Sequence, residues 1–480
     1  MDRAERAFRW VEDNRGRLVE LSDRVWQFAE LGLQEHRSAA VLAHALEAAG
    51  FRVQRGVAGM PTAFVATWGE GRPAVGFLGE YDALPGVSQK VSPQREELVP
   101  GGAGHGCGHN LLGVGALGAV LALREEMAAR GLGGTLRYFG CPAEENFSGK
   151  AFMAREGLFL ELDACLTWHP GDVNLVRTGT SLALNSMNVT FYGRASHASA
   201  APHLGRSALD AVELMNVGVN YLREHIPEKA RVHYVITDGG LQPNVVPARA
   251  SVWYYVRAPH RHQVEEVYER VLKCAEGAAL MTGTTYQVEF LDGIYNLIPN
   301  RALEEVLARA MVVAGPPRFG QAELEFASRI ARTFPPGQKE SMIDELLLDA
   351  DTRDLLRRQT LNDTIVPPPR EELPPRGSTD VGDVSWCCPT AQFSTACVAL
   401  GTPGHSWQFT AQAGMGIGHA GMLAAARVLA QAGLELLLNP GVLEKARAEF
   451  LKRTGGRPYR CAIPLEVKPA FHQLASSRPR

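Results

Sequence analysis

The sequence predicts an α/β protein: a mainly parallel-sheet domain interrupted by a ferredoxin-like insertion. Three observations lead there. Strand-like and helix-like stretches alternate through residues 1–184, the pattern switches to βαββαβ near Asn185, and the alternation resumes in the last third of the chain. At 480 residues the chain exceeds what one core accommodates, so more than one domain is expected. The expected division is 1–184 with 296–440 as one domain, 185–295 as a second domain inserted in it, and 441–480 as a tail.

Taken in order, residues 18–49 place Leu18, Leu21, Val25, Phe28 and Leu31 at helical spacing and stop at Gly50. "FRVQRG", "TAFVATWG" and "AVGFLGEYD" read as short strands, and residues 111–130 read as a helix. "TLRYFGCPA" and "DACLTWHP" are strands separated by a helical "GKAFMAREGLF". Within the insertion, the strands "NSMNVTFYGR", "RVHYVITDGG", "ARASVWYYVRAP" and "TTYQVEFL" are interleaved with two amphipathic helices. Both helices are expected on one face of an antiparallel sheet. Residues 315–376 mix charged helical stretches with proline-rich pieces, and composition leaves open whether they form a lid, an oligomer contact or decoration. "GDVSWCCPTAQFSTACVALG" and the helix "IGHAGMLAAARVLAQAG" restore the α/β pattern, and the tail from Pro440 reads as a polar surface segment.

The composition excludes several classes of function. A net charge of −3 gives no electrostatic reason to expect nucleic acid or an anionic membrane as partner. No run of eighteen apolar residues occurs, and the charged opening "MDRAERAFRWVEDNRGR" has no apolar core of a secretory leader. The eight cysteines are scattered rather than densely spaced, so a cytoplasmic protein with free thiols is expected.

Residues able to do chemistry gather where strands give way to loops, the place where open α/β sheets put their sites. "GFLGEYDALPG" carries Glu80 and Asp82, "GHGCGHN" carries Cys107 and His109, and "RYFGCPAEEN" carries Glu144 and Glu145. "CLTWHPG" carries His169 and "GTPGHSWQ" carries His405. Taken one at a time, all but the C-x-H pair are ordinary turn, surface or strand-end residues. Together, thiolate, imidazole and carboxylate are the ligand set of Zn²⁺ and of other divalent ions such as Mn²⁺. The glycines around Cys107 allow the sharp turn by which a C-x-H pair converges on one cation.

"DALPG", "GCGHN", "PAEEN", "GRASHAS", "GGLQPNVVPARA" and "GTPGHS" occur in the order that resembles the M20 metallopeptidase and aminoacylase family, over roughly residues 10–440. The cysteine motif is similar to the branch with hippurate hydrolases and auxin-conjugate amidohydrolases. "GSTDVGDVSW", "TPGHSWQ" and the 315–376 segment most resemble enzymes that hydrolyse p-aminobenzoyl-glutamate.

The resemblance makes 1–184 with 296–440 the catalytic domain and 185–295 a dimerisation or lid domain, and it implies two divalent metal ions per subunit, Mn²⁺ or Zn²⁺, held by Cys107, His109, Glu145, His169 and His405. It implies Glu144 as general base and Asp82 as the residue orienting a ligand histidine. His197 would stabilise the oxyanion in a partner subunit's site, and Asn244 and Arg257 would hold the substrate's carboxylate. The chain departs from the family at Asn110, where aspartate is usual, and at Glu80, usually aspartate and in the wider family histidine. Glu80 is therefore left out of the expected ligand set, and His419 is set aside in favour of His405. The implied function is hydrolysis of an N-acyl or N-aroyl amino acid, with a dipeptidase for β-alanyl or γ-aminobutyryl dipeptides and a non-catalytic metal-containing subunit as alternatives. The expected partners are a small amide substrate and a second copy of the chain, or a homologous second subunit.

Overall fold

The computed structural model describes residues 3–368, 372 and 377–469. Much of the proline-rich stretch before Gly377 and the end of the tail fall outside them. In chain order the strands are β1 (Arg52–Arg55), β2 (Phe64–Glu70), β3 (Ala74–Glu80), β4 (Gly134–Cys141), β5 (Ala164–Gly171), β6 (Leu175–Arg177), β7 (Ala183–Tyr192), β8 (Arg231–Asp238), β9 (Arg249–Ala258), β10 (Thr285–Ile294) and β11 (Thr390–Ala396).

Seven of these strands form a sheet of order β1-β2-β4-β3-β5-β11-β6. The central four, β4-β3-β5-β11, run parallel, and the flanking pairings are antiparallel. One face is covered by the helices Glu5–Asp13, Arg15–Phe28, His109–Arg130, Arg301–Ala314 and Gly416–Leu438, whose apolar residues make the largest core. Gly416–Leu438 is long and apolar enough to cross a membrane, but it is mostly buried inside this core. The helices Gly149–Arg155 and Val381–Cys387 pack on the other face.

His109–Arg130 lies unusually close to the sheet. A Cβ on Gly113 would sit 2.6 Å from the carbonyl oxygen of Glu80, so only glycine admits this approach. Trp168 Nε1 donates to the Leu112 carbonyl at 3.0 Å and Tyr138 Oη to that of Gly113 at 3.0 Å, locking the helix start over β4 and β5.

The helical reading of 18–49 is interrupted in the structure. Arg15–Phe28 and His36–Ala48 are separate helices, with Ala29 left-handed at φ 43°. The break has a cause: the Glu30 carboxylate accepts the backbone N–H groups of Arg37 (3.1 Å) and Ser38 (2.9 Å), satisfying donors that the second helix leaves open. Leu31 then bridges to Ala83, beside the "DALPG" turn.

The second sheet has order β10-β7-β9-β8 and is antiparallel throughout, with the helices Ala208–Leu222 and Arg261–Thr282 sharing one core with it. This is the ferredoxin-like pattern.

The chain from Pro440 differs from its polar reading. Pro440–Thr454 is a helix that buries Ala446 and Phe450, and Asn300 Nδ2 donates to the Ala446 carbonyl at 2.8 Å. The described residues of the 315–376 segment form the helices Gln321–Ala331, Gln338–Asp344 and Ala350–Arg358. Ile343 and Leu356 pack with Val173 and Leu175 next to β6.

Candidate metal centre

The site lies beyond the carboxyl ends of the parallel strands. Glu80 ends β3 and Asp82 follows it, Glu144 and Glu145 follow β4, His169 lies in β5, and His405 is on the loop after β11. Cys107 precedes the helix that begins at His109, after Gly108 at φ 77°. The His405 N–H donates to the Gly106 carbonyl at 3.0 Å, pinning the two loops together.

Three triads of donor atoms result, each with its atoms within 4.8 Å of one another, and two of them share Cys107: Cys107–His109–His169 and Cys107–Glu145–His405. Cys107 Sγ is 3.4 Å from His169 Nε2. The two oxygens of Glu145 face different ways: Oε1 is 3.9 Å from His109 Nε2 and Oε2 is 3.4 Å from His405 Nε2. The five ligands expected from the resemblance are thus brought to one place.

The surroundings decide which atoms point inward. His109 Nδ1 donates to Asp82 Oδ1 at 2.8 Å and His169 Nδ1 to the Pro170 carbonyl at 2.7 Å, leaving both Nε2 lone pairs free for a cation. Asp82 Oδ2 also accepts the Glu145 N–H at 2.9 Å, so one carboxylate orients two of the candidate ligands.

A cation fits this donor set. His109 Nε2, Glu80 Oε2 and Glu145 Oε1 are buried without a hydrogen-bond partner, which is costly unless something positive sits between them. Burial pushes the Cys107 thiol up to about 12 and, with the neighbouring Glu80, Glu144 well above the carboxylate range. Burial raises Glu145 likewise, and burial followed by the Arg177 charge depresses His169. Burial and the charge of a divalent ion act in opposite directions on thiol and carboxylate, so the same groups suit metal binding.

Glu80, set aside above, lies within the cluster. Its Oε2 is 3.2 Å from His109 Nε2, and it groups with His109 and Glu144. The reason is Lys150, fully buried, whose Nζ is 2.7 Å from Glu80 Oε1 and 2.6 Å from Asp380 Oδ1. Burial alone would discharge this lysine, but the two carboxylates outweigh it and hold the ammonium charged. Sequence reading missed Lys150 and Asp380. Their one signal was a lysine inside the otherwise apolar "GKAFMA".

The remaining candidates are elsewhere. Asn110 donates to Ser22 Oγ (3.1 Å) and to the Ala413 carbonyl (3.0 Å), a buried tie behind the site that an aspartate could not make. His419 Nε2 pairs with Asp23 at 2.8 Å, outside the donor clusters found among the described residues. His197 is neighbour to Asn244 in the second sheet's loops: Ala198 donates its N–H to the Asn244 carbonyl at 3.0 Å, and His197 bridges Val245. Arg257 is at the far end of β9 from Asn244, across an extended stretch of roughly 26 Å. Its Nη1 donates to Ser378 Oγ at 3.3 Å. A single chain therefore does not bring Asn244 and Arg257 onto one carboxylate.

Ser378 lines a cleft of about 430 Å³ that also contains Cys107, Glu144, Glu145, His169 and His405, with Leu346 from the 315–376 segment on its wall. Glu144 makes no hydrogen bond or ion pair with a described residue, so its carboxyl is available in the cleft.

Residues 183–280 match the model of the M20 peptidase dimerisation domain. The chain is 44% identical over 467 residues to a subunit of the p-aminobenzoyl-glutamate hydrolase of Escherichia coli (strain K12), covering 96% of this chain and 97% of that protein. It is 31% identical to the Xaa-Arg dipeptidase of Mus musculus, over 93% of this chain and 91% of that one. In structure it resembles Bacillus subtilis YXEP, a dinuclear metal binding peptidase from the M20 family, with TM-score 0.57 and 18% identity over 89% of this chain and 99% of that one. Sequence, dimerisation domain and fold agree: this chain belongs to the M20 family of metallopeptidases and amidohydrolases.

Proposed function

We propose that the protein is a metal-dependent amidohydrolase that cleaves p-aminobenzoyl-glutamate to p-aminobenzoate and glutamate. The observation that carries the reading is the pair of donor triads sharing Cys107, with Glu144 outside both and lining the same cleft. Structural metal sites are closed and keep no spare base.

Two divalent ions, Mn²⁺ or Zn²⁺, would be held by Cys107, His109, Glu145, His169 and His405. When bound, such ions acidify water and polarise a carbonyl. Glu144 takes a proton from the attacking water and delivers it to the leaving amine. Asp82 keeps His109 in the tautomer with a free Nε2. Arg257 holds the substrate's carboxylate from its own chain.

His197 and Asn244 are supplied by a second copy, His197 donating to the developing oxyanion. Support for a dimer comes from Leu214, Val217 and Tyr221, an exposed stripe on the helix Ala208–Leu222, with exposed Val235 and Ile236 on β8, the edge strand. A homologous second subunit could occupy the same face, since the Escherichia coli relative is itself one subunit of its enzyme. Eight unpaired cysteines suit a reducing compartment, and the cytoplasm is the proposed location.

The test is release of p-aminobenzoate from p-aminobenzoyl-glutamate by protein loaded with Mn²⁺ or Zn²⁺. Inertness toward this substrate and toward N-acetyl amino acids rejects the reading. Faster cleavage of β-alanyl or γ-aminobutyryl dipeptides would make it a dipeptidase.

A further inference from the structure

Arg177 is the last residue of β6, and its guanidinium opens into the cleft that holds the metal ligands. Register explains why. β6 pairs antiparallel with β11, placing Leu175 opposite Ser394 and Arg177 opposite Gln392. β11 pairs in parallel with β5, placing Ser394 beside His169. Ser394 Oγ accepts from Arg177 Nε at 2.7 Å, so the arginine is tethered through one serine to the strand position of a metal ligand.

The tether uses only Nε. Arg177 makes no ion pair with a described residue. The acid nearest in sequence, Asp172, also lines the cleft but forms no ion pair with Arg177, its Oδ2 accepting the Gly401 N–H at 2.9 Å. Apart from Asp172, the cleft residues adjacent to Arg177 in sequence and register are neutral: Thr178, Thr180, Ser181 and Gln392. Tethered at Nε on the cleft wall, the planar guanidinium keeps its two Nη groups for bidentate contact with a carboxylate.

The geometry points to Arg177 as a second carboxylate subsite, one that selects an acidic side chain on the amine half of the substrate. This rests on the amidohydrolase reading above and deepens it. An acylated amino acid carries one α-carboxylate, assigned to Arg257 and Asn244. A glutamate or aspartate carries another, and Arg177 is the cationic group in the cleft left to receive it. A basic residue there would meet like charge, so this chain discriminates against the substrates named by its Xaa-Arg dipeptidase relative.

The experiment uses the full-length, Mn²⁺-loaded protein and three substrates: p-aminobenzoyl-glutamate, -glutamine and -arginine. Wild type is expected to favour glutamate over glutamine, with arginine poorest. In Arg177→Met, kcat/KM for the glutamate substrate falls on the order of 100-fold, mostly through KM, while the neutral glutamine substrate loses much less. Metal content and circular dichroism equal to those of wild type show that the variant is folded. Arg177→Lys, which keeps charge but loses the fork, falls between.

Equal losses on glutamate and glutamine substrates, or an unaltered preference, overturn the subsite while leaving the amidohydrolase reading intact. If no substrate is cleaved at all, that reading fails, and calorimetric titration with p-aminobenzoyl-glutamate decides the subsite separately. Tenfold or weaker binding by Arg177→Met than by wild type upholds it. Equal binding, or none to wild type, removes it.

Discussion

Glu35 Oε1 accepts the backbone N–H of Ala143 at 2.8 Å, although 108 residues separate them. Ala143 is left-handed, with φ 58°, and it immediately precedes Glu144 and Glu145. A fully buried acid at the start of the helix His36–Ala48 thus holds the turn that aims Glu144 and Glu145, the proposed base and a proposed metal ligand. Glu35→Ala is expected to lose about 1–3 kcal/mol in denaturant titrations, since it orphans a buried donor. At saturating metal its kcat should fall roughly 10- to 100-fold, the scale of residues that orient ligands. Glu35→Gln keeps the acceptor and should stay near wild type on both measures. Full activity in the alanine variant would show that the turn holds itself.

Cys107 belongs to two donor triads, whereas His405 belongs to one. Metal content measured by mass spectrometry should therefore separate them. Cys107→Ser should drop well below one ion per chain, because a hydroxyl is a far weaker ligand than a thiolate for these ions. His405→Ala should retain about one ion, held by Cys107, His109 and His169. Glu144→Ala should retain both ions and lose turnover. A Cys107→Ser protein with full metal content would mean that the thiol lies outside the coordination sphere.

Much of this site was legible because ligand chemistry is local and its punctuation is too. C-x-H between glycines, E-E after an apolar strand and a proline, and histidines at strand ends each announce themselves within a short stretch. The supports did not, because they are made by distant partners: Lys150 meets Asp380 across 230 positions, and Glu35 meets Ala143 across 108. Glu80 was set aside because its residue type departs from the family, and only the buried ammonium of Lys150 explains how a longer carboxylate is held there. The fold followed a similar division. Period-2 and period-3.6 patterns reported the two sheets and their helices. The break at Ala29 was invisible, because Leu31 and Leu33 continue the apolar pattern straight through it.

Asn110 carries a related prediction. Its amide donates to a serine hydroxyl and a backbone carbonyl in a fully buried setting. Asn110→Asp, although it restores the residue usual in the family, puts an acceptor against the Ala413 carbonyl. Stability should fall by about 1–3 kcal/mol in urea titrations at pH 7. An unchanged midpoint would show that the surroundings rearrange around the acid.

Glu304, in the first turn of the helix Arg301–Ala314, supplies a pH dependence remote from the metals. Burial raises its pKa from 4.5 to about 7, with Arg301 opposing at 2.9 Å. The folded state therefore holds this proton more tightly than the unfolded chain. Its contribution is intact below pH 4.5 and is lost as pH rises toward 7. The scale is about 3 kcal/mol. Glu304→Gln cannot ionise, so its loss of stability between about pH 5 and pH 8 in denaturant titrations should be smaller than that of wild type. Parallel pH profiles would place the Glu304 pKa near that of the unfolded chain.

The separation of His197 and Asn244 from the metal ligands gives the sharpest test of assembly. If His197 acts in a partner's site, a dimer of His197→Ala with Glu144→Ala has one complete site: the His197→Ala chain keeps its base and receives a histidine from the other copy. Each variant alone should be nearly inactive, and mixing them under conditions of subunit exchange should restore up to about half of the activity per mixed dimer. Were His197 to act within its own chain, both sites of the mixed dimer would stay defective and mixing would restore nothing. Val217→Asp, in the exposed stripe of Ala208–Leu222, completes the experiment. A charge there should halve the mass measured by light scattering and abolish complementation, while the donor triads, built within one chain, keep their metal.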